Sequence, residues 1–362
     1  MKLEDLGYNE SHEKFRIENK LEDFEIARVT AEHKERYVVR TAAGECDAEI
    51  TGNLRFTAKS REEFPAVGDW VALIRADAGF GIIHSVFPRF SVLSRQAVGK
   101  FAERQIIAAN VDCAFVVQAV DRDFNINRIE RYLTICYEAK VDPVIVLTKT
   151  DLVDTGQRDE IVDSIRTRIK NVPVIAVSNE TSEGIAVLRE LITSGRTYCL
   201  LGSSGVGKST LINNLSGRTV METGSISAST NKGRHVTSHR ELTILENGGI
   251  LIDNPGMREI GIADASTGLE TTFDIIFSVA EDCKYADCTH VRESGCAVIE
   301  AVEQGDIDRS TYENYLKMQR EKEHFDLTVS EKRKKEKAFG KMVKNFKNDI
   351  KKVDSKHNNK RS

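Results

Sequence analysis

The chain carries two hydrophobic rhythms. Residues 1–20 are polar, show no sustained period, and read as an extension without fixed structure. From Phe24 to Pro88 short β-type runs alternate with turns. Ile26–Ala31, Arg36–Thr41, Glu45–Ile50, Asp69–Arg75 and Gly81–Phe87 are the candidate strands, punctuated by Gly44, Gly52, Gly68 and Gly79. Five short strands in so small a span predict a closed barrel, OB-like or SH3-like; five is the strand count of the OB-fold. Such a barrel often binds oligonucleotides, but its fold does not fix its function.

After Arg95 the rhythm changes. Val111–Val120 is a continuous apolar run, the mark of a strand buried on both faces. Asn125–Lys140 is helical, with Ile126, Ile129, Leu133, Cys136 and Tyr137 near one face. Val144–Leu147, Val174–Val177 and Tyr198–Leu201 read as strands, and Asp159–Ile169, Ile185–Ile192 and Lys208–Leu215 as helices. Glu241–Glu246 and Gly249–Ile252 form a candidate strand pair. This alternation predicts a mostly parallel sheet with helices on both faces, ending near Gly261. The expected organisation is a multidomain α/β chain. A barrel with its polar extension fills 1–95, the parallel-sheet domain 96–262, a cysteine-bearing helical domain 263–320, and a basic helix or tail 321–362.

Composition agrees: 362 residues, 40% apolar and 30% charged, suit two or three soluble domains. No apolar run reaches the ~18–20 residues that span a bilayer. The N-terminus lacks the apolar centre of a signal peptide, so a cytoplasmic protein without membrane contact is expected. Seven cysteines, an odd number, do not suggest a disulfide framework there. The net charge of −4 hides an asymmetry: residues 331–362 carry +9, which puts residues 1–330 at −13. A basic tail on an acidic body points to a polyanionic partner. Phe339, Met342, Val343 and Phe346 give the tail the sparse apolar stripe of a basic helix.

The chemistry begins at Gly202-Ser203-Ser204-Gly205-Val206-Gly207-Lys208-Ser209-Thr210, which fits G-x-x-x-x-G-K-[ST] between a strand and a helix. The glycines let the backbone aim N–H groups at phosphate oxygens, and the helix N-terminus adds its positive end. Lys208 suits the β- and γ-phosphates and Ser209 a Mg²⁺ ion. This loop alone does not separate ATP from GTP, or a hydrolase from a kinase.

Thr148-Lys149-Thr150-Asp151 follows a buried strand and resembles the guanine-reading N-K-x-D motif, with Thr in place of Asn. The Asp151 carboxylate can accept from guanine N1–H and its exocyclic amine, a pair adenine lacks. The Lys149 stem suits the flat of the base. Ser178-Asn179 follows a strand where a backbone N–H can meet guanine O6. Asp253-Asn-Pro-Gly256 follows Ile250–Ile252 and fits the γ-phosphate sensor D-x-x-G: Asp253 toward Mg²⁺, the Gly256 N–H toward phosphate. Met257 stands where many GTPases place a water-orienting Gln, so unaided hydrolysis is expected to be slow. Between loop and sensor lies Ser225–Arg240, where Thr237 is a candidate Mg²⁺ ligand and His235 a candidate water-orienting group. The motifs run T-K-x-D, O6 loop, phosphate loop, switch, sensor. That is a circular permutation of the usual order, tolerable where domain termini lie close together. Cys283, Cys288, His290 and Cys296 supply three thiolates and an imidazole within fourteen residues, the donor set of a closed structural Zn²⁺ site. Cys46, Cys113, Cys136 and Cys199 read as core residues.

These motifs, with P-A-V-G-D-W-V at 65–71, I-A-A-N-V-D at 107–112, K-G-R-H-x-T at 232–237 and D-N-P-G-M-R-E at 253–259, resemble one family over about residues 24–320. It is the circularly permuted, small-ribosomal-subunit-dependent GTPases (RsgA, also called YjeQ). The resemblance implies an OB-fold, a permuted GTPase domain and a zinc domain. It implies a late-stage assembly factor that binds ribosomal RNA and hydrolyses GTP to GDP when docked on the small subunit. A catalytic His in the first switch is implied, and His235 matches it. Thr148 and Val236 depart from the family pattern, and Val236 leaves Thr237 as the Mg²⁺ candidate. A monomer is expected. A P-loop kinase or ATPase of a small substrate, or an RNA-binding scaffold that holds nucleotide without turnover, are the alternatives.

Overall fold

The computed structural model describes residues 1–33, 36–58, 60–77, 79–96, 104–121, 124–217, 241–253 and 265–327. The switch stretch with His235 and Thr237, then Gly256 and Met257, and the basic tail lie outside the described residues.

Residues 1–20 overturn the expectation of an unstructured extension. A 3₁₀ turn at Glu4–Leu6 leads into α1 (Glu10–Glu18). The Asn9 side chain caps α1 by accepting from the Ser11 and His12 N–H groups, and the His12 ring accepts from the Asn9 N–H. Leu6 is fully buried. Tyr8 and His12 pack on Trp70 at ring separations of 5.1 and 5.3 Å, and Phe15 on Phe87 at 4.9 Å. These few anchors are spaced without a period, and their partners lie far along the chain, so no local pattern announces them. Burial pushes the His12 pKa down to about 4 and keeps the ring neutral.

The barrel forms as expected. Its strands β1 (Glu25–His33), β2 (Arg36–Thr41), β3 (Gly44–Ile50), β4 (Trp70–Arg75) and β5 (Phe80–Val86) close in the order β1-β2-β3-β5-β4-β1, with β3 and β5 parallel. A short helix, α2 (Gly52–Thr57), sits between β3 and β4. Ala27, Val29, Tyr37, Val39, Val71, Leu73 and Ile83 fill the interior. Ile26, Trp70 and Ala72 alternate to the outer face, where the N-terminal segment covers them. The D of the P-A-V-G-D-W-V run is a joint: the buried Asp69 carboxylate accepts from the Ala66 N–H at 2.8 Å and from Arg89 at 2.6 and 2.8 Å.

A hairpin of β6 (Val92–Gln96) and β7 (Arg104–Ala109) follows, unpredicted, and leads into the parallel sheet. Here β8 (Cys113–Ala119), α3 (Ile126–Glu138), β9 (Asp142–Thr148), α4 (Thr155–Arg168), β10 (Val174–Ala176), α5 (Ile185–Leu191), β11 (Thr197–Leu201), α6 (Lys208–Ser216), β12 (Glu241–Ile244) and β13 (Ile250–Asp253) alternate along the chain. The sheet order is β10-β9-β8-β11-β13-β12, parallel except for β12. Its residues alternate between two cores. Ala114, Val116, Ile145 and Leu147 meet Ile129, Leu133 and Ile165 of α3 and α4 on one face. Phe115, Val117, Val144 and Val146 meet Ile185, Leu188, Leu211 and Leu215 of α5 and α6 on the other. Both faces are covered, which is why the strands read as continuous apolar runs.

The barrel and the sheet are continuous: β1 also pairs with β12, Ala31 opposite Glu241. Behind that seam lies Arg28, 1% exposed. Its guanidinium donates to the carbonyls of Leu6 (2.5 Å), Gly68 (3.2 Å) and Asn110 (3.3 Å) and to Thr197 Oγ1 (2.8 Å). Gly68 is required there: at φ +94° any Cβ would stand 2.1 Å from the Ala109 carbonyl oxygen.

The C-terminal helices α7 (Ser266–Thr272), α8 (Asp274–Ala280), α9 (Ala297–Gln304) and α10 (309–327) enclose a separate core of Leu269, Phe273, Ile276, Val298, Tyr315 and Met318. They dock on α3. Arg131 pairs with Glu321 in a two-pronged bridge of 2.6 and 2.8 Å, and the buried Glu130 accepts from Arg168 and Asn314 at 2.6 Å. No helix among the described residues is long and apolar enough to cross a membrane.

Candidate nucleotide site and metal cluster

The parallel strands β10, β9, β8, β11 and β13 all end at one edge of the sheet. In open α/β sheets that carboxyl edge is where ligands bind. The glycine-rich loop leaves β11 and enters α6 through Gly207, at φ +91°. A Cβ on Gly207 would lie 2.9 Å from Asn179 Nδ2, so glycine answers both the turn and the crowding. Lys208 Nζ donates to the carbonyls of Gly202 (2.8 Å) and Ser203 (2.6 Å), which holds the ammonium inside the loop. Tyr132 of α3 hydrogen-bonds Ser203; burial raises its phenol pKa and this bond opposes the rise. Ser209 and Thr210 stand half-buried in the first turn of α6, beside Ser204, Gly205 and Val206. A glycine-rich turn, a helix N-terminus and an ammonium suit a polyphosphate.

Thr148 ends β9. Its side chain is fully buried, and Oγ1 donates to the Val206 carbonyl at 2.6 Å. The Thr-for-Asn departure therefore keeps a direct bond between this motif and the phosphate loop. Lys149 takes a left-handed φ of +60° and pairs with Asp121 at 2.8 Å. Among the described residues, Thr150 Oγ1 is buried without a partner. Asp151 is exposed, and its Oδ1 accepts from the Ser178 hydroxyl at 2.6 Å. Ser178 is buried and accepts in turn from the N–H groups of Glu180 and Thr181. Asp253, 6% exposed, closes β13 at the same edge. The structure thus brings Thr148–Asp151, Ser178, Gly202–Thr210 and Asp253 to one rim.

The second site lies in the C-terminal helices. The ligand atoms of Cys283, Cys288, His290 and Cys296 all lie within 4.8 Å of one another. Cys283 Sγ is 3.9 Å from Cys296 Sγ, and His290 Nδ1 is 3.6 and 3.5 Å from those sulfurs. A tetrahedral ion with bonds of about 2.3 Å to sulfur and about 2.0 Å to nitrogen sets such edges at roughly 3.8 and 3.5 Å. The cluster therefore fits a metal. Burial lowers the His290 pKa, which favours the neutral imidazole that ligates. Burial pushes the Cys296 thiol up to about 11. At Cys283 burial also works upward, but hydrogen bonds from the Val298 and Ala297 N–H groups and from Cys296 and Cys288 together lower the pKa. Tyr312 donates to the His290 carbonyl at 2.6 Å and fastens the cluster to α10.

Comparison with known proteins now decides the family. The model described as RsgA GTPase matches residues 86–263. A small ribosomal subunit biogenesis GTPase RsgA 1 of Bacteroides thetaiotaomicron is 43% identical over 326 residues, 90% of this chain and 91% of the relative. The chain belongs to the RsgA GTPase family. The family's protein from Opitutus terrae is also 43% identical, over 83% of this chain and 84% of its own length. Among solved structures, YjeQ from Thermotoga maritima superposes with a TM-score of 0.59 at 26% identity, covering 81% of this chain and 96% of that one. YloQ, described as a circularly permuted GTPase, gives 0.57 at 21% identity over 85% and 96%, which speaks to the fold alone. An ABC transporter model also matches residues 188–361, a span that contains the phosphate loop many nucleotide-binding families share.

Sequence reasoning missed several residues at this rim. Tyr132 carried only the signal of a core position on α3, and Asp121 none. Asn214 of α6 donates to Asn179, a link between segments that no local pattern displays.

The cluster generates the first prediction. The purified chain should hold one divalent metal per molecule by elemental analysis. Cys288→Ala should lose it and loosen residues 265–327 in hydrogen exchange, while nucleotide affinity changes less than about twofold. Full metal content in that variant would remove Cys288 from the ligand set.

Proposed function

We propose that this chain is a GTP hydrolase that acts late in assembly of the small ribosomal subunit. It binds ribosomal RNA, and hydrolysis to GDP and phosphate on the particle lets it leave. The observation that carries the reading is the shared rim: a base-reading motif and a phosphate loop hydrogen-bonded to each other through Thr148 and Val206. The relatives' name, small ribosomal subunit biogenesis GTPase, supplies the setting.

In this reading Asp151 accepts from guanine N1–H and N2–H, Lys149 and Thr150 flank the base, and the loop at Ser178 faces O6. Gly202–Thr210 hold the phosphates. Ser209, Thr237 and Asp253 provide the hard oxygen donors that suit Mg²⁺, and the Gly256 N–H meets the γ-phosphate. Magnesium neutralises charge between the phosphates when bound. The metal cluster takes one structural Zn²⁺, because four protein donors leave no open position. Barrel, permuted GTPase domain and zinc domain divide near residues 95 and 262, and the basic tail at 332–360 contacts RNA.

His235 is the proposed catalytic group. Met257 cannot orient water, so the free protein turns over slowly. Lys232, Arg234 and Arg240 suit the switch stretch to an RNA surface, whose contact brings His235 to the attacking water. His235→Ala should bind GTP normally and lose at least about tenfold of the subunit-stimulated rate in a single-turnover assay. A stimulated rate equal to wild type would give the role to a ribosomal group instead.

Asp151→Asn should weaken GDP binding by ten- to a thousandfold, about 1–4 kcal/mol, in a titration calorimeter, and xanthosine diphosphate should regain part of it. Unchanged GDP affinity would remove Asp151 from the base site.

A further inference from the structure

The loop after β10 and the phosphate loop after β11 are not neighbours in the sheet. The strands β9 and β8 lie between them. Yet the two loops are bonded directly. Asn179 Nδ2 donates to the Gly207 carbonyl at 3.2 Å, and a Cβ on Gly207 would collide with that amide. The contact exists because Gly207 leaves room for it.

Asn179 is itself held from the other side. Asn214, on the second turn of α6, donates through Nδ2 to both the Asn179 carbonyl (3.1 Å) and Asn179 Oδ1 (3.2 Å). That forked contact fixes which way the Asn179 amide faces: its oxygen toward Asn214, its nitrogen toward Gly207. Asn214 is fixed in turn, because its own carbonyl accepts from Arg189 of α5. On the loop's other flank the Ser178 hydroxyl donates to Asp151. An unbroken chain of bonds therefore runs from Asp151 through Ser178 and Asn179 to Gly207, with Asn214 as its anchor.

The amides of this turn are nearly all used inside the protein. Ser178 N–H goes to the Glu183 carbonyl, and Glu180 and Thr181 N–H go to Ser178 Oγ. Among the described residues the Asn179 N–H has no such partner. It belongs to the residue that Asn214 holds.

We propose that Asn214, acting through Asn179, is a positioning residue that sets the 178–181 turn at a fixed distance from the phosphate loop and so determines how strictly the site reads the 6-position of the purine. This rests on the guanine-nucleotide reading above, in which an N–H of this turn faces O6. With phosphates held at Gly207 and the turn bonded to the same residue, the O6 donor and the phosphate donors form one rigid ruler. Without Asn214 the turn is free to shift, and the donor at the 6-position loses its aim while phosphate binding persists.

The test compares GDP with 6-thioguanosine diphosphate, which keeps N1–H and the exocyclic amine but replaces the 6-oxygen by a weakly accepting sulfur. Titration calorimetry on the full chain measures both. Wild type should prefer GDP by about tenfold, the order of one lost hydrogen bond. Asn214→Ala should lose most of that preference: GDP weakens by about tenfold and the thio analogue by less than about threefold. Asn214→Asp, which keeps the shape but cannot donate, should do the same. Asn179→Ala combined with Asn214→Ala should lose little more than the larger of the two single changes, since both lie in one chain of bonds to Gly207. A wild-type preference retained in Asn214→Ala, even with both ligands equally weakened, would overturn the proposal and leave Asn214 a purely structural residue. If wild type itself binds the two nucleotides equally, the O6 reading of the turn fails, and the proposal with it.

Discussion

A buried cation holds this molecule together. Taking a guanidinium out of water is costly unless each N–H finds an acceptor. Arg28 finds its acceptors on four segments far apart in the chain: the N-terminal turn at Leu6, the barrel loop at Gly68, the hairpin exit at Asn110 and Thr197 at the start of β11. Burial lowers its pKa only to about 10, with the charges of Asp112 and Asp69 opposing the fall, so it stays a cation at neutral pH. Its satisfaction requires all four segments in place together. Since β11 feeds the phosphate loop, Arg28 ties the barrel to the nucleotide rim alongside the β1–β12 pairing.

The rim obeys a second constraint. Parallel strands place their carboxyl ends on one edge, so a cut in the chain can reorder the motifs without moving them in space. The permuted order has a structural consequence at α3. That helix touches the phosphate loop through Tyr132 and Ser203, and on its neighbouring turns it carries the contact to the metal-cluster helices through Glu130, Arg131 and Thr134. The Glu130 carboxylate is buried there, which raises its pKa against the pull of Arg168. One helix therefore touches both the phosphate loop and the metal-cluster helices.

Much of this was legible in the sequence. The barrel strands alternate and are punctuated by glycines, the sheet strands are continuous apolar runs, and the cysteine–histidine set carries its own chemistry. What stayed hidden was long-range. Leu6, Tyr8 and Phe15 form no period because their partners Trp70 and Phe87 lie in another element. The Thr148 departure from the motif gave no sign that its hydroxyl, at the end of β9, donates to the Val206 carbonyl. The I-A-A-N-V-D run read only as a family mark. In the fold Asn110 donates to the Gly68 carbonyl and Asp112 accepts from Thr197 N–H, so both are joints between barrel and sheet rather than chemistry.

The central claim is that one rim reads guanine and phosphate together and that the small subunit switches it on. The most direct measurement is turnover of GTP and ATP side by side, on the full chain, with and without purified small subunits. The account predicts slow GTP hydrolysis alone, at least about tenfold stimulation by the subunit, and no stimulated ATP turnover. Equal turnover of ATP and GTP, or a GTP rate indifferent to the subunit, would contradict it.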